Sequence, residues 1–338
     1  MSDTEGGHLR RGAKGVGVSA APRTLVIGGL GFIGVNLTER LVADGRNVTV
    51  VTPSRPRHAE LAAAFEARGV RIVEGDLRDA GAMAAAVEGQ EVVFNLAGES
   101  GAVRSMDDPW TDLDVNCRGN LVLLEALRTV NRAARLVFVG SRLQYGRQPM
   151  QPVAEDQAPD PLCLHAIHKL TVERYLQLYR TLFGIRYTIA RVTNPYGPGQ
   201  PRGRTAYGVV NRLIQLALAD QTLTIYGDGT QRRDYIHVGD LVSALVSLSQ
   251  SESSDGRAFN VGSGVGTRLI DMAQGIVGMA GGGRIEHVEW PALASQIETG
   301  DFIADVSRMR EEIGWTPATP LRDGLRDTIA FYQSHVSS

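Results

Sequence analysis

Seven residues near the start of the chain, residues 28–34, carry glycines at three-residue intervals and separate two apolar patterns. The run before them, residues 24–27, is short and apolar enough to be a buried strand. After them Ile33, Leu37 and Leu41 recur at helical spacing. A glycine turn between a strand and a helix lets the backbone approach a pyrophosphate, and the N–H groups at the helix start bind its oxygens. The sequence therefore predicts a dinucleotide-binding turn here.

Short apolar runs rich in valine and isoleucine continue to alternate with helical patterns after this turn. The predicted helices include residues 59–68 and 120–130, and the predicted strands are residues 48–51, 70–73, 92–94, 136–139 and 187–190. Repeated units of this kind are typical of an α/β fold. We expect a doubly wound parallel sheet of the Rossmann type, with helices on both faces.

The alternation weakens after residue 191, where turn-rich stretches such as residues 194–199 follow. We expect residues 22–191 to form mainly the dinucleotide-binding Rossmann domain. Residues 192–338 are expected to form mainly a smaller C-terminal substrate-binding lobe, with some elements returning to the sheet. Residues 1–21 are polar and rich in glycine, which predicts a disordered tail.

Composition excludes some classes of function without choosing among the rest. The formal net charge of -2 over 338 residues gives no electrostatic reason to expect nucleic acid or a membrane surface as partner. No apolar run approaches the roughly 20 residues that span a bilayer. Two cysteines, Cys117 and Cys163, stand far apart in sequence, which favours a reducing, cytoplasmic location over a disulfide framework.

The glycine turn ends in Gly-Phe-Ile-Gly, and four later blocks carry a shared pattern. They are residues 191–200, 226–240, 259–262 and 304–325. Together with the turn, these blocks resemble the extended short-chain dehydrogenase/reductase family of nucleotide-sugar epimerases, dehydratases and reductases. The resemblance covers nearly all of residues 23–335 and implies a Rossmann fold, a bound NAD or NADP and a nucleotide-sugar substrate.

The resemblance also implies which residues bind the cofactor. Carried over by position, they are Gly28, Gly31, Phe32, Ile33, Gly34, Thr52, Arg55, Asp76, Leu77, Leu96, Ala97, Asn116 and Lys169. In the loop after the second predicted strand, a carboxylate would bind the ribose hydroxyls of NAD, whereas an arginine would accommodate the phosphate of NADP. Residues 52–57 include Arg55 and Arg57 but no acidic residue. This loop favours NADP, with NAD as the alternative if both arginines are solvated loop charges.

Catalysis in the resembling family uses a Tyr-x-x-x-Lys pair on one helix face, and this chain departs from that pattern. The lysine corresponds to Lys169, but the tyrosine position holds His165. In one interpretation His165 carries the proton, because imidazole titrates near neutrality and the charge of Lys169 lowers its pKa. In the other, the acid/base group is lost and the protein is repurposed or inactive. We favour the first interpretation because Ser141 and Lys169 are both retained.

Ser141 occupies the family's hydroxyl position, four residues before a Tyr-Gly pair. The resemblance implies that it is catalytic and binds the substrate by a hydrogen bond to a sugar oxygen. The family's dehydratases carry an Asp-Glu pair directly after this hydroxyl, whereas this chain has Arg142 and Leu143. The sequence therefore counts against dehydration of the usual kind.

Two residues of the second half are expected to bind the substrate. Asn194 would lie beside the sugar or its diphosphate, and Arg233 would bind the diphosphate, whose oxygens suit a planar guanidinium. For Arg233 the alternative is a structural ion pair with Asp234 or Asp240.

The predicted function is an NAD(P)-dependent nucleotide-sugar epimerase that works through a keto-sugar, at sugar carbon 4. One alternative is an NADPH-dependent nucleotide-keto-sugar reductase, and another is a dinucleotide-binding protein without catalysis. A homodimer is expected, paired through the predicted helices of residues 120–130 and 164–183.

Overall fold

The computed structural model describes residues 21–200 and 208–334, so nearly all of the tail predicted over residues 1–21 lies outside the described residues. Within these ranges the strands are β1 (Arg23–Ile27), β2 (Asn47–Thr52), β3 (Arg71–Glu74), β4 (Val92–Asn95), β5 (Arg135–Ser141), β6 (Arg186–Val192), β7 (Asn194–Tyr196), β8 (Thr222–Tyr226), β9 (Arg232–His237), β10 (Arg257–Val261), β11 (Gly266–Arg268) and β12 (Arg284–Val288). The α-helices are α1 (Phe32–Ala43), α2 (Ala59–Glu66), α3 (Ala80–Val87), α4 (Ala102–Asp107), α5 (Pro109–Leu113), α6 (Gly119–Val130), α7 (Leu164–Phe183), α8 (Val209–Leu218), α9 (Val238–Gln250), α10 (Leu269–Ala280), α11 (Ala292–Gln296) and α12 (Leu321–Ser334). In this part of the chain, no helix has the length and apolar character that crossing a bilayer requires.

Seven strands form one sheet in the order β3-β2-β1-β4-β5-β6-β10, and every neighbouring pair is parallel. Val26 of β1 packs in a core with α1, α2 and α9, whereas Leu25 and Ile27 pack in a second core with α3, α6 and α7. Side chains of a strand alternate between the two faces, so a single strand supplies both cores. The predicted doubly wound parallel sheet of the Rossmann type is confirmed.

The strand order reverses between β1 and β4. From this point β2 and β3 extend the sheet to one side, and β5, β6 and β10 extend it to the other. Open α/β sheets bind ligands in the crevice beyond the carboxyl ends of the strands at such a reversal. Three strands end there, at Ile27, Asn95 and Ser141.

The residues after 192 build a smaller lobe beside this crevice. There β7, β9 and β11 form one small sheet, β8 pairs with β12, and α8, α10 and α12 share a separate core. Two elements of this half belong instead to the main sheet: α9 packs into one of its cores, and β10 pairs with β6 at its edge. The domain boundary placed at residue 191 from the sequence stays a prediction.

A buried polar network connects β10 to the first half of the chain. Arg191 of β6 donates to both carboxylate oxygens of Glu173 on α7, at 3.0 and 2.8 Å, and to the hydroxyl of Tyr145 at 2.7 Å. The Tyr145 hydroxyl donates in turn to Oδ1 of Asn260 on β10, at 2.8 Å. Charge-assisted hydrogen bonds of this kind are strong in a low-dielectric interior. The network therefore fixes β10 against the sheet edge.

Candidate active site

A cavity of about 630 Å³ opens at the carboxyl ends of β1, β4 and β5 and extends to the smaller lobe. Sites for small molecules and cofactors usually have volumes of about 300–1,000 Å³. The residues predicted from the sequence that line it are Gly28, Gly31, Phe32, Ile33, Gly34, Leu96, Ser141, His165, Lys169, Asn194 and Arg233. The fold thus brings the glycine turn, the expected proton carriers and the expected substrate residues to one cavity.

The glycine turn has the close backbone approach that a pyrophosphate site needs. Gly28 has φ of 81°, in the left-handed region that favours glycine. A Cβ built on Gly28 would lie 3.0 Å from the backbone N of Ala97, so the ends of β1 and β4 leave no room for a side chain. Gly31 is the N-cap of α1, and the first turn of that helix lines the cavity. A helix N-terminus directed at a cavity is a ready site for an anion.

A polar recess lies next to this turn. Oδ1 of Asn116 is buried and has no hydrogen-bond partner among the described residues. A Cβ on Gly98 would lie 2.6 Å from that oxygen and 3.4 Å from Nζ of Lys169, which itself donates to the carbonyl of Val139 at 3.1 Å. Asn116 reaches this point from a π-helical turn, Asp114–Arg118, a distortion common at functional sites. The free amide oxygen of Asn116, the ammonium group of Lys169 and the space left by Gly98 together suit the ribose and nicotinamide end of a dinucleotide.

His165 shares a buried carboxylate with a second histidine. Nδ1 of His165, in the first turn of α7, lies 3.5 Å from Oδ2 of Asp112, which belongs to α5, and forms no hydrogen bond with the described residues. Nδ1 of His168 lies 2.6 Å from Oδ1 of the same carboxylate. All three side chains are buried. The backbone N of His165 donates to Oγ of Ser105 at 3.1 Å, which anchors the start of the helix.

These contacts set the protonation of the cluster at neutral pH. Burial raises the pKa of Asp112, but interactions with His165, His168 and Asn116 outweigh it and lower that pKa to about 2. Burial and the charges of Lys169 and His168 lower the pKa of His165, against the opposing effect of Asp112. Burial also lowers the pKa of Lys169 to about 8. At pH 7 the carboxylate is ionised and His165 is neutral, which is the form that accepts a proton.

Ser141 ends β5 at the mouth of the cavity. Its Oγ accepts a hydrogen bond from the backbone N of Leu143 at 3.2 Å, so it caps the turn that follows the strand. A hydroxyl that accepts one bond still has its own proton to donate. Capping the turn and binding a sugar oxygen are therefore compatible at this position.

Both the nitrogen and the oxygen of the Asn194 side-chain amide form hydrogen bonds within the protein. Its Nδ2 donates to the backbone carbonyl of Asp234 at 2.8 Å, and its Oδ1 accepts from Nε of Arg142 at 3.3 Å. Nη1 of Arg142 donates to Oγ1 of Thr299 at 2.9 Å. The side chain of Asn194 thus places the Arg142 guanidinium in the wall of the cavity.

Arg233 forms an ion pair with Glu298, and not with Asp234 or Asp240, the two partners considered from the sequence. Its Nη2 donates to Oε1 of Glu298, and its Nη1 donates to the backbone carbonyl of Gly300. The carboxylate of Asp234 instead accepts hydrogen bonds from backbone N–H groups that include that of Ser263, at 2.7 Å. Both Arg233 and Glu298 line the cavity, so an incoming phosphate would meet the pair.

The remaining predicted cofactor residues lie outside the cavity lining; they are Thr52, Arg55, Asp76, Leu77, Ala97 and Asn116. Arg55 forms a surface ion pair with Glu66 at 2.7 Å. Asp76 accepts from Nη2 of Arg78 at 2.7 Å, and this hydrogen bond lowers its pKa. A carboxylate held in this way has less freedom to contact an adenine, and its cofactor role stays a prediction.

Three residues of the site have no motif in the sequence: Asp112, His168 and Glu298. Asp112 precedes Asn116 by four residues, a spacing that puts both on one helix face. This spacing is the only sequence feature that points to Asp112 as a site residue. His168 lies beside Lys169 in the sequence, where it reads as an ordinary helical residue. Glu298 comes from a loop that reaches the cavity through tertiary packing alone.

Comparisons with known proteins found relatives and similar structures along nearly the whole chain. A model of the NAD dependent epimerase/dehydratase family matches residues 24–262. A UDP-glucose 4-epimerase of Mycolicibacterium smegmatis is 35% identical over 317 residues, which cover 92% of this chain and 99% of the relative. The crystal structure of a Thermotoga maritima UDP-glucose 4-epimerase with UDP-glucose has a TM-score of 0.84 and 27% identity, over 93% of this chain and 99% of that one. A Thermus thermophilus UDP-glucose 4-epimerase in complex with NAD has a TM-score of 0.81 and 28% identity, over 93% of this chain and 100% of that one.

Proposed function

The chain belongs to the NAD dependent epimerase/dehydratase family, and we propose that it inverts carbon 4 of a nucleotide-linked sugar through a keto-sugar intermediate. The observation that carries this proposal is the meeting of Ser141, His165 and Lys169 with the glycine turn in one cavity. A relative named UDP-glucose 4-epimerase, 35% identical along nearly its whole length, supports the choice of reaction and of position. The free, buried thiols of Cys117 and Cys163 support the expected cytoplasmic location.

The roles of the side chains follow from their contacts. When bound, the cofactor would supply a reversible hydride acceptor at its nicotinamide, and the glycine turn and Lys169 would hold it in the cavity. Ser141 donates a hydrogen bond to the C4 oxygen, and neutral His165 accepts the C4 hydroxyl proton at Nε2 and later gives it back. The carboxylate charge of Asp112, 3.5 Å from Nδ1, favours a proton on that nitrogen, which leaves Nε2 as the acceptor. Lys169 supports the ribose and keeps His165 from holding its proton too tightly.

The first prediction concerns the reaction itself. Purified protein should interconvert UDP-glucose and UDP-galactose, or another pair of C4 epimers among nucleotide sugars, without net consumption of added cofactor. Nuclear magnetic resonance of the sugar products, with absorbance at 340 nm followed in parallel, measures both. Stoichiometric loss of NADPH with one reduced sugar as product would identify the reductase instead.

The second prediction concerns the proton carrier. His165→Phe should lower turnover by roughly 100-fold or more, the usual size of a general acid/base contribution, with little change in cofactor affinity. In the wild type, kcat/KM should fall as acid protonates His165, at a pH below about 6.5, because the pKa of this imidazole is lowered. Asp112→Asn should move this acidic limb to still lower pH, because the carboxylate is the group that raises the pKa of His165.

The matched variants for this test are His165→Tyr, which restores the family's residue, and His168→Gln, which removes the second imidazole and its contact with Asp112 but keeps His165. A fully active His165→Phe protein would show that the proton travels by another route. Activity gained only in His165→Tyr would mark the natural protein as a binding protein. An Asp112→Asn protein with lower turnover but an unmoved acidic limb would contradict the positioning role of Asp112.

The third prediction concerns the cofactor, for which we propose that NADP is preferred over NAD. Arg55 and Glu66 form an exposed pair, with 49% and 35% of the side chains accessible, and such pairs are worth about 0–1 kcal/mol. A ribose phosphate can therefore displace Glu66 from Arg55 at little cost. Arg55→Ala should reduce the NADP preference by about tenfold, the loss of one charge-assisted contact, and Glu66→Gln should increase it.

Titration of both dinucleotides against each variant measures this preference. Arg71→Ala is the control, because it removes an exposed arginine from the opposite, amino end of β3. Tighter binding of NAD than of NADP by the wild type would contradict the proposed cofactor preference. A preference that is unchanged in Arg55→Ala would contradict the role of Arg55.

The fourth prediction concerns assembly, for which we propose a homodimer paired through α6 and α7. These neighbouring helices expose large apolar side chains, among them Leu121, Ile167 and Leu178. Light scattering should give twice the chain mass for the wild type and the single chain mass for Leu178→Asp. Val265→Asp, at a comparably exposed apolar residue of the smaller lobe, should stay dimeric. A monomeric wild type, or a dimer that survives Leu178→Asp and dissociates in Val265→Asp, would contradict this interface.

A further inference from the structure

Among the described residues, one buried arginine lacks the direct ion pair that the other buried arginines have. Arg135, Arg142 and Arg233 are the buried arginines of the described residues. Arg135 pairs with Glu252 at 2.7 Å, and Arg233 pairs with Glu298. For Arg142, no carboxylate oxygen in the described part of the chain lies within the ion-pair limit of 4.0 Å. An unpaired charge in an interior is costly, so a partner from outside the chain would stabilise it.

The contacts that Arg142 does make are neutral and fix its position. They are the side-chain oxygens of Thr299 and Asn194 and the ring of Phe302, whose centroid lies 5.4 Å from the guanidinium carbon. Burial and the nearby charge of Arg233 lower the pKa of Arg142 to about 9, against the opposing charges of Glu298 and Asp234, so the surroundings disfavour the cation without removing it at pH 7. The guanidinium is thus held in the cavity wall as a charged donor.

We propose that Arg142 binds a carboxylate carried by the sugar, so that the preferred substrate is a nucleotide-linked uronic acid. The inference rests on the proposed function, in which Ser141 binds the C4 oxygen. Arg142 directly follows Ser141 at the end of β5. In a uronic acid the carboxylate stands on C5, the ring carbon next to C4, and a guanidinium binds a carboxylate by two parallel hydrogen bonds.

Sugar geometry separates this role from binding of the diphosphate. The diphosphate is attached at C1, across the ring from C4, and so lies away from Ser141 when Ser141 holds the C4 oxygen. Arg233, on β9 of the smaller lobe, is the cavity arginine expected at the diphosphate. The two arginines thus bind two different anionic groups of one substrate.

The test uses the cofactor-loaded full chain and compares three sugar nucleotides that differ only at C6, with UDP alone as the reference for the diphosphate. Calorimetry with UDP-glucuronate, its uncharged uronamide, UDP-glucose and UDP alone measures affinity, and turnover on the uronate and the hexose gives kcat/KM. The wild type should bind the uronate at least tenfold more tightly than the uronamide. In Arg142→Gln that ratio should fall to about one, and Arg142→Lys, which keeps the charge, should restore part of it. Arg310→Gln, which removes an exposed arginine outside the cavity lining, is the matched control and should keep the wild-type ratio.

The other outcomes separate failure of this inference from failure of the proposed function. A wild type that epimerises UDP-glucose without preferring the uronate contradicts the role of Arg142 and leaves the proposed function intact. Preferential binding of the uronate without epimerisation of either sugar supports the carboxylate site and contradicts the proposed function. Loss of UDP affinity in Arg142→Gln to the same degree as uronate affinity assigns this arginine to the diphosphate instead. Failure of the wild type to bind any of the four ligands counts against both proposals.

Discussion

The close approach of β1 and β4 at their carboxyl ends is the constraint on which the cavity depends. The backbone N of Leu96 donates to the carbonyl of Ile27 at 3.0 Å, and Gly28 lies against Ala97 with no space for a side chain. Gly98, the residue after Ala97, has no side chain and therefore leaves open the recess beside Asn116. A larger residue at Gly28 would push the two strand ends apart, and because β5 pairs with β4, the end of β5 at Ser141 would be disturbed as well.

A histidine in place of a tyrosine changes what the surrounding helices must supply. A phenol needs a cation to bring its pKa down toward neutrality, whereas an imidazole already titrates near pH 6.5 and mainly needs orientation. The carboxylate of Asp112 is shared between two imidazoles, with the shorter contact to His168 and the longer one to His165. His168 fixes the carboxylate in place, and the second oxygen remains for the imidazole at the cavity. The substitution at position 165 therefore comes with a carboxylate that the sequence motif does not include.

The sheet could be predicted from the sequence because its strands are continuous apolar runs and its helices have clear periodicity. Residues 24–27 fall within β1, and the helix predicted over residues 164–183 has the bounds of α7. The glycine turn is equally local, since its conformation depends on a few adjacent residues. The partners of Arg55, Arg233 and His165 could not be predicted. They come from α2, from a loop near residue 298 and from α5, and only the packed fold brings these segments together.

The placement of β10 and α9 has a consequence for how the chain folds during synthesis. Domains generally fold as units, beginning with the N-terminal part as the chain leaves the ribosome. Here α9 packs into one core of the sheet, and the hydroxyl of Tyr145 finds its acceptor on Asn260. The dinucleotide half therefore stays incomplete until residue 261 has been made, after the strands β7 to β9 of the other lobe. The two lobes must mature together, and a nascent chain stopped at residue 191 would expose an apolar face to the solvent.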